Sequence, residues 1–73
     1  MVDVFVREKI IRINENITIE QKEVYEKYVT FCEVENEKPE SIKWFGRRMN
    51  IFGFPSNRSS KGKRVYVGIK VID

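Results

Sequence analysis

Lys43, Trp44, Arg47, Arg48 and Asn50 bring cations, an indole and an amide into one short span. These groups hold phosphate oxygens and read base edges. Arginine bonds guanine in two places, asparagine does the same to adenine, and an indole stacks on a sugar or base. A second basic group, Arg58, Lys61, Lys63 and Arg64, gathers around the turn-like run Ser59-Ser60-Lys61-Gly62. No comparable set exists for catalysis. The chain has no histidine, so the commonest general base and metal ligand is missing. Cys32 is the single cysteine, which excludes an internal disulfide and a cysteine metal cluster. No paired carboxylates stand among the basic residues. The expected chemistry is binding, with no catalytic residue, metal or cofactor.

The first basic group lies on a stretch that reads as a short helix, Ser41 to Gly53. Ile42, Phe45, Met49 and Phe52 recur at steps of three, four and three, one face of a 3.6-residue helix. At about 100° per residue they cluster within roughly a quarter-turn. Lys43, Trp44, Arg47 and Asn50 fall almost opposite, with Arg48 on the flank. Ser41 is placed to cap the start, behind Pro39. Gly53 stands where a left-handed residue ends a helix, and Pro55 prevents continuation. A helix that packs on one side and shows cations and an amide on the other suits a major groove. A solvated surface helix also carries a charged face, so the neighbouring residues must decide.

Length and charge narrow the choice. Seventy-three residues make one small domain. The apolar runs are far shorter than a membrane span and nothing resembles a signal peptide, so a cytoplasmic protein without membrane contact is expected. Net charge is only +3, but it is unevenly placed. Residues 1–40 hold ten acids against six bases, a net of −4; residues 41–73 hold eight bases against Asp73 alone, a net of +7. That asymmetry points to a polyanion-binding side.

Taken in order, Val2 to Ile13 has helical spacing, with Asp3 at its start and off-stripe Val4 and Ile11 broadening its face. Asn14-Glu15-Asn16 reads as a turn and Ile17-Thr18-Ile19 as a short strand. Thr18 and Gln21 have the spacing of a capping box for the next helix. That helix, Glu20 to about Asn36, carries the stripe Val24, Tyr25, Tyr28, Phe31, Cys32 and Glu35, which reads as core. Cys32 is then a small buried hydrophobe. After Gly53 the period changes to two. Phe54 to Arg58 and Lys63 to Val71 read as a hairpin, with Val65, Val67, Ile69 and Val71 facing inward and Tyr66 on the other side. The basic side chains at the hairpin tip have no nearby acid in sequence. An exposed Trp44 or Tyr66 could stack on nucleic acid or could belong to the core.

The order helix, short strand, helix, helix, basic hairpin predicts an α+β winged helix. Its second and third helices form the helix-turn-helix, and the hairpin is the wing. The run Val24-Tyr25-x-x-Tyr28-x-x-Phe31-Cys32, then Phe45-Gly46-Arg47-Arg48-Met49, Gly53-Phe54, Arg58, Gly62-Lys63-Arg64 and Tyr66-x-Gly68-Ile69 resembles a known family. It is similar to the small C-terminal domain that follows the superfamily 3 helicase core in phage and plasmid primase–helicases of the poxvirus type. The similarity extends from Phe5-Val6 to Val71. Val24 stands for the family's usual leucine, Phe31 for tryptophan, and Glu37 for the glycine that commonly follows Asn36. The resemblance implies a DNA-binding module in replication initiation. It also implies that the chain is the C-terminal fragment of a larger replication protein, since no GxxxxGK[ST] phosphate loop is present.

The expected partners are DNA, double-stranded by preference, and the rest of the parent chain. Lys43, Arg47 and Asn50 would approach the major groove, and Arg58, Lys61, Lys63 and Arg64 would hold phosphates or enter the minor groove. The competing reading uses the same face to dock on the helicase core or a replication partner.

Overall fold

Val2 and Phe5, three residues apart, lie on the buried side of a first helix, α1 (Val2–Lys9), in the computed structural model, which describes residues 1–72. Asp73 lies outside them. The carboxyl of Asp3 sits below its ordinary pKa range, chiefly because the Val4 backbone N–H hydrogen-bonds it; the terminal ammonium, 3.6 Å away, adds to this. The helix stops before Ile13. Ile10–Arg12 turns extended as strand β1, its first residue at φ −103° and ψ 127°. The β-branched isoleucines there gain a strand partner, and that tertiary pairing overrides a helical spacing that ran through them.

After the bend at 14–17 come strand β2 (Thr18–Glu20) and helix α2 (Gln21–Val34). The capping box is not formed: Glu20 holds the N-cap position with no side-chain bond. Gln21 is used elsewhere, donating from its amide to the Tyr66 hydroxyl at 3.0 Å. Val24, Tyr28 and Cys32, one turn apart, are completely buried, while Tyr25 and Phe31 are half-buried beside them. The stripe read from sequence is therefore core from Val24 to Cys32, but Glu35, read as its last member, is exposed at the C-cap. Asn36 takes the left-handed turn after the helix at φ 56°, a conformation asparagine tolerates, so Glu37 need not.

Two tyrosine hydroxyls do more than fill space. Tyr25 donates to the Glu40 carbonyl at 2.8 Å, and Tyr28 accepts from the Glu40 N–H at 3.0 Å. They clamp the segment leading into helix α3 (Ile42–Ile51). Burial pushes the Tyr28 hydroxyl up from 10.0 to about 12, against the opposing hydrogen bond from Glu40. A folded-state pKa above the unfolded one means the contribution is complete below pH 10 and is lost as pH rises toward about 12. Denaturation midpoints should fall across that window; a flat series would contradict the burial of this hydroxyl.

Cys32, completely buried and free, should react slowly with a thiol reagent in the native protein and quickly in denaturant. Fast native labelling would place the α2 stripe elsewhere.

Helix α3 begins as its sequence indicates. The Ser41 hydroxyl accepts from the Trp44 N–H at 3.4 Å, and Gly53 follows the C-cap at φ 92°. Its apolar face is narrower than the spacing suggests. Phe45 and Met49 are completely buried, but Ile42 and Phe52 remain 42% and 40% exposed. A helix of this length on a small core buries only the middle of its stripe.

The C-terminal strands depart most from the sequence reading. The first hairpin strand is only β3 (Asn57–Arg58), not Phe54–Arg58. The second breaks into β4 (Arg64–Val67) and β5 (Ile69–Val71) at Gly68, φ 73°. A left-handed backbone there favours glycine. The break lets β4 sit between β2 and β3, while β5 pairs antiparallel with β1 in a separate two-stranded sheet. Alternation also fails inside β4 itself. Val65, Tyr66 and Ile69 are buried and Val67 is 41% exposed, where strict alternation puts Val65, Val67 and Ile69 in and Tyr66 out. One core joins the pieces: Val2, Phe5, Ile10, Val24, Tyr28, Cys32, Phe45, Met49, Tyr66 and Ile69. The result is a small α+β fold of three helices and two antiparallel sheets. Among the described residues, no helix is long and apolar enough to cross a membrane.

Candidate nucleic-acid interface

All nine side chains singled out in the sequence, Lys43, Trp44, Arg47, Arg48, Asn50, Arg58, Lys61, Lys63 and Arg64, are solvent-exposed. For the α3 set this follows from its anchoring. Phe45 and Met49 point into the core, so the opposite side, centred on Arg47, must face water. The Arg47 guanidinium lies over the Trp44 ring, 5.0 Å from its centroid. This cation–π contact restrains a long side chain that would otherwise be free. Trp44 itself is 51% exposed, which resolves its two sequence readings in favour of the surface. Tyr66 resolves the other way: it is buried and bonded to Gln21.

Gly46 sets how closely α3 packs on the start of α2. A Cβ at this position would come within 2.8 Å of the Gln21 side-chain nitrogen, the same atom that binds Tyr66 on β4. Glycine thus lets α3 approach the start of α2 closely. Lys43 and Asn50, neighbours of Gly46 along the helix surface, lie on the Gly46 flank of the helix.

The basic residues are not equally available. Arg48 Nε lies 3.7 Å from Glu40 Oε2, which draws it away from the Arg47 side. Lys63 Nζ is 3.2 Å from Glu20 Oε1, an acid that is distant in sequence and brought near because β2 pairs with β4. The hairpin bases have no acid near them in sequence, but strand pairing supplies one to Lys63 in space. Arg64 donates to the Ser56 hydroxyl at 3.3 Å. Lys43, Arg47, Arg58 and Lys61 form no ion pair with any described residue. Exposed pairs such as Lys63–Glu20 contribute only about 0–1 kcal/mol, so a phosphate can displace the acid.

The hairpin turn is built by Ser59. Its N–H donates to the Lys63 carbonyl at 2.7 Å, and its hydroxyl accepts from the Lys63 N–H at 3.2 Å. The turn carries Lys61 at its tip.

One cation near the site was not singled out in the sequence. Arg12 donates to the Gly53 carbonyl at 2.9 Å and lies over the Phe54 ring, 4.4 Å from its centroid. It ties β1 to the end of α3 and so positions the helix. Its signal was hidden because the segment had helical spacing and its partner is 41 residues away.

The chain matches no protein-family model and no curated protein sequence.

Proposed function

We propose that the chain is a DNA-binding module of winged-helix type, in which α2 and α3 form a helix-turn-helix and the β3–β4 hairpin serves as the wing. The observation that carries this reading is the exposed α3 face, Lys43, Arg47 and Asn50, on a helix that contains no acid. In this reading α3 enters the major groove. Arg47 takes a guanine edge or a phosphate, Asn50 takes an adenine edge, and Lys43 takes phosphate. Arg58, Lys61, Lys63 and Arg64 track the backbone beside it. The module would serve a phage- or plasmid-type primase–helicase, adding affinity for origin or template DNA, and would itself carry no catalytic site. This parentage rests on the sequence resemblance alone.

Titration of labelled duplex and single-stranded DNA at two salt concentrations tests the reading. Duplex binding should weaken steeply with salt. Lys61→Ala should lower the log–log salt slope by about 0.9, the share of one phosphate contact, for every sequence tried. Lys63→Ala should lower it less, because Glu20 already engages that ammonium. Absence of duplex binding at low salt would sink the proposal.

A second reading, docking on the helicase core or a replication partner through the same face, is favoured by Trp44 and Ile51, 51% and 75% exposed on α3. Binding to such a partner that persists at high salt, with no affinity for duplex, would support it.

A further inference from the structure

The solvent side of α3 is divided lengthwise. At about 100° per residue, Lys43 and Asn50 share the Gly46 flank, Trp44 and Ile51 share the other, and Arg47 lies between. Ile51 is 75% exposed and Trp44 is 51% exposed. Single exposed apolar residues need no explanation. Here two of them, seven positions apart, form one stripe bordered by the cations Arg47 and Arg48. Met49 and Phe45 hold the helix on its opposite side, so the stripe cannot turn inward.

The surroundings select the occupant. Residues 41–73 carry a net charge of +7, which favours a polyanion over an apolar protein surface. In the major groove of duplex DNA the exposed apolar group is the 5-methyl of thymine. We propose that the Trp44–Ile51 stripe reads thymine methyl groups, while Asn50 on the neighbouring flank reads adenine. The inference rests on the major-groove reading given above and adds base preference to it. Residues seven apart on a helix are separated by about 10 Å along its axis. The two side chains therefore meet methyl groups on different base pairs, and the favoured sites carry more than one thymine. The Arg47 guanidinium, held at 5.0 Å from the indole centroid, covers part of one face and leaves the ring edge to meet the methyl.

The test compares an alternating adenine–thymine duplex with the same duplex carrying deoxyuridine, which differs only by the methyl. Anisotropy titration of the intact chain at low salt should show affinity falling about fourfold for each thymine methyl that the stripe no longer meets. Ile51→Ala and Trp44→Ala, both at exposed positions and checked for folding by circular dichroism, should each reduce that discrimination. Equal affinity of the native chain for the two duplexes would overturn the inference and leave DNA binding standing. A thymine preference unchanged in both variants would also overturn it, since duplex shape would then be the cause. Failure to bind either duplex at low salt would overturn the inference and the DNA-binding reading together.

Discussion

Phe45→Ala is expected to destabilise the protein by about 3–5 kcal/mol, the usual cost of deleting a buried phenylalanine. Phe45 is completely buried, and its ring meets three others: Tyr28 at 4.8 Å, Tyr25 at 5.5 Å edge-on, and Phe5 at 6.2 Å between centroids. These partners come from α1 and α2, so the ring joins all three helices. Its removal leaves a cavity that the surrounding rings cannot fill without moving both α1 and α2. Domains of this size hold a net stability of only about 4–11 kcal/mol, so much of the population would unfold near physiological temperature. Thermal and urea melts measure the loss. Val34→Ala, at a position 77% exposed, is the control and should change little. An unaltered melt for Phe45→Ala would mean that the helix phase assigned to α3 is wrong.

Arg47→Ala should weaken binding to a preferred duplex by about 1–3 kcal/mol, and non-specific duplex by less. The difference between the two duplexes separates base reading from phosphate attraction. Arg47 stands opposite the buried pair Phe45 and Met49, so its replacement should leave the melt unchanged. Arg48→Ala should cost less, because Arg48 turns toward Glu40. Chemical-shift mapping with duplex should gather perturbations on Lys43, Trp44, Arg47, Asn50 and residues 58–64. The exposed acids Glu23, Glu26 and Glu33 on α2 should stay silent. Strong shifts there, with Arg47→Ala binding like the native chain, would favour the docking reading over DNA.

The basic face was legible for a physical reason. Helical side-chain direction depends only on spacing, so once Phe45 and Met49 were placed inward, Lys43, Arg47 and Asn50 had to point outward. The same local logic located the Ser41 cap and the Gly53 stop, because a cap is satisfied by residues within one turn. Charge asymmetry between the two halves required no structure at all.

What sequence by itself determined is thus the set of short-range facts: three helices, a basic hairpin, an aromatic stripe along α2 and a cationic side on α3. Tertiary structure decided everything that depends on partners distant in the chain. Ile10–Arg12 became a strand because β5 offered it a hydrogen-bonding edge, although its spacing suited a helix. Gly68 divided what alternation read as one strand, and within β4 Tyr66 joined Val65 in the core while Val67 stayed out. Gln21 abandoned a possible cap for a hydroxyl 45 residues away. Lys63 met Glu20 through strand pairing. Each of these choices compares a local preference, worth about 1 kcal/mol or less for spacing and propensity, with burial and pairing that exist only after the chain has closed on itself.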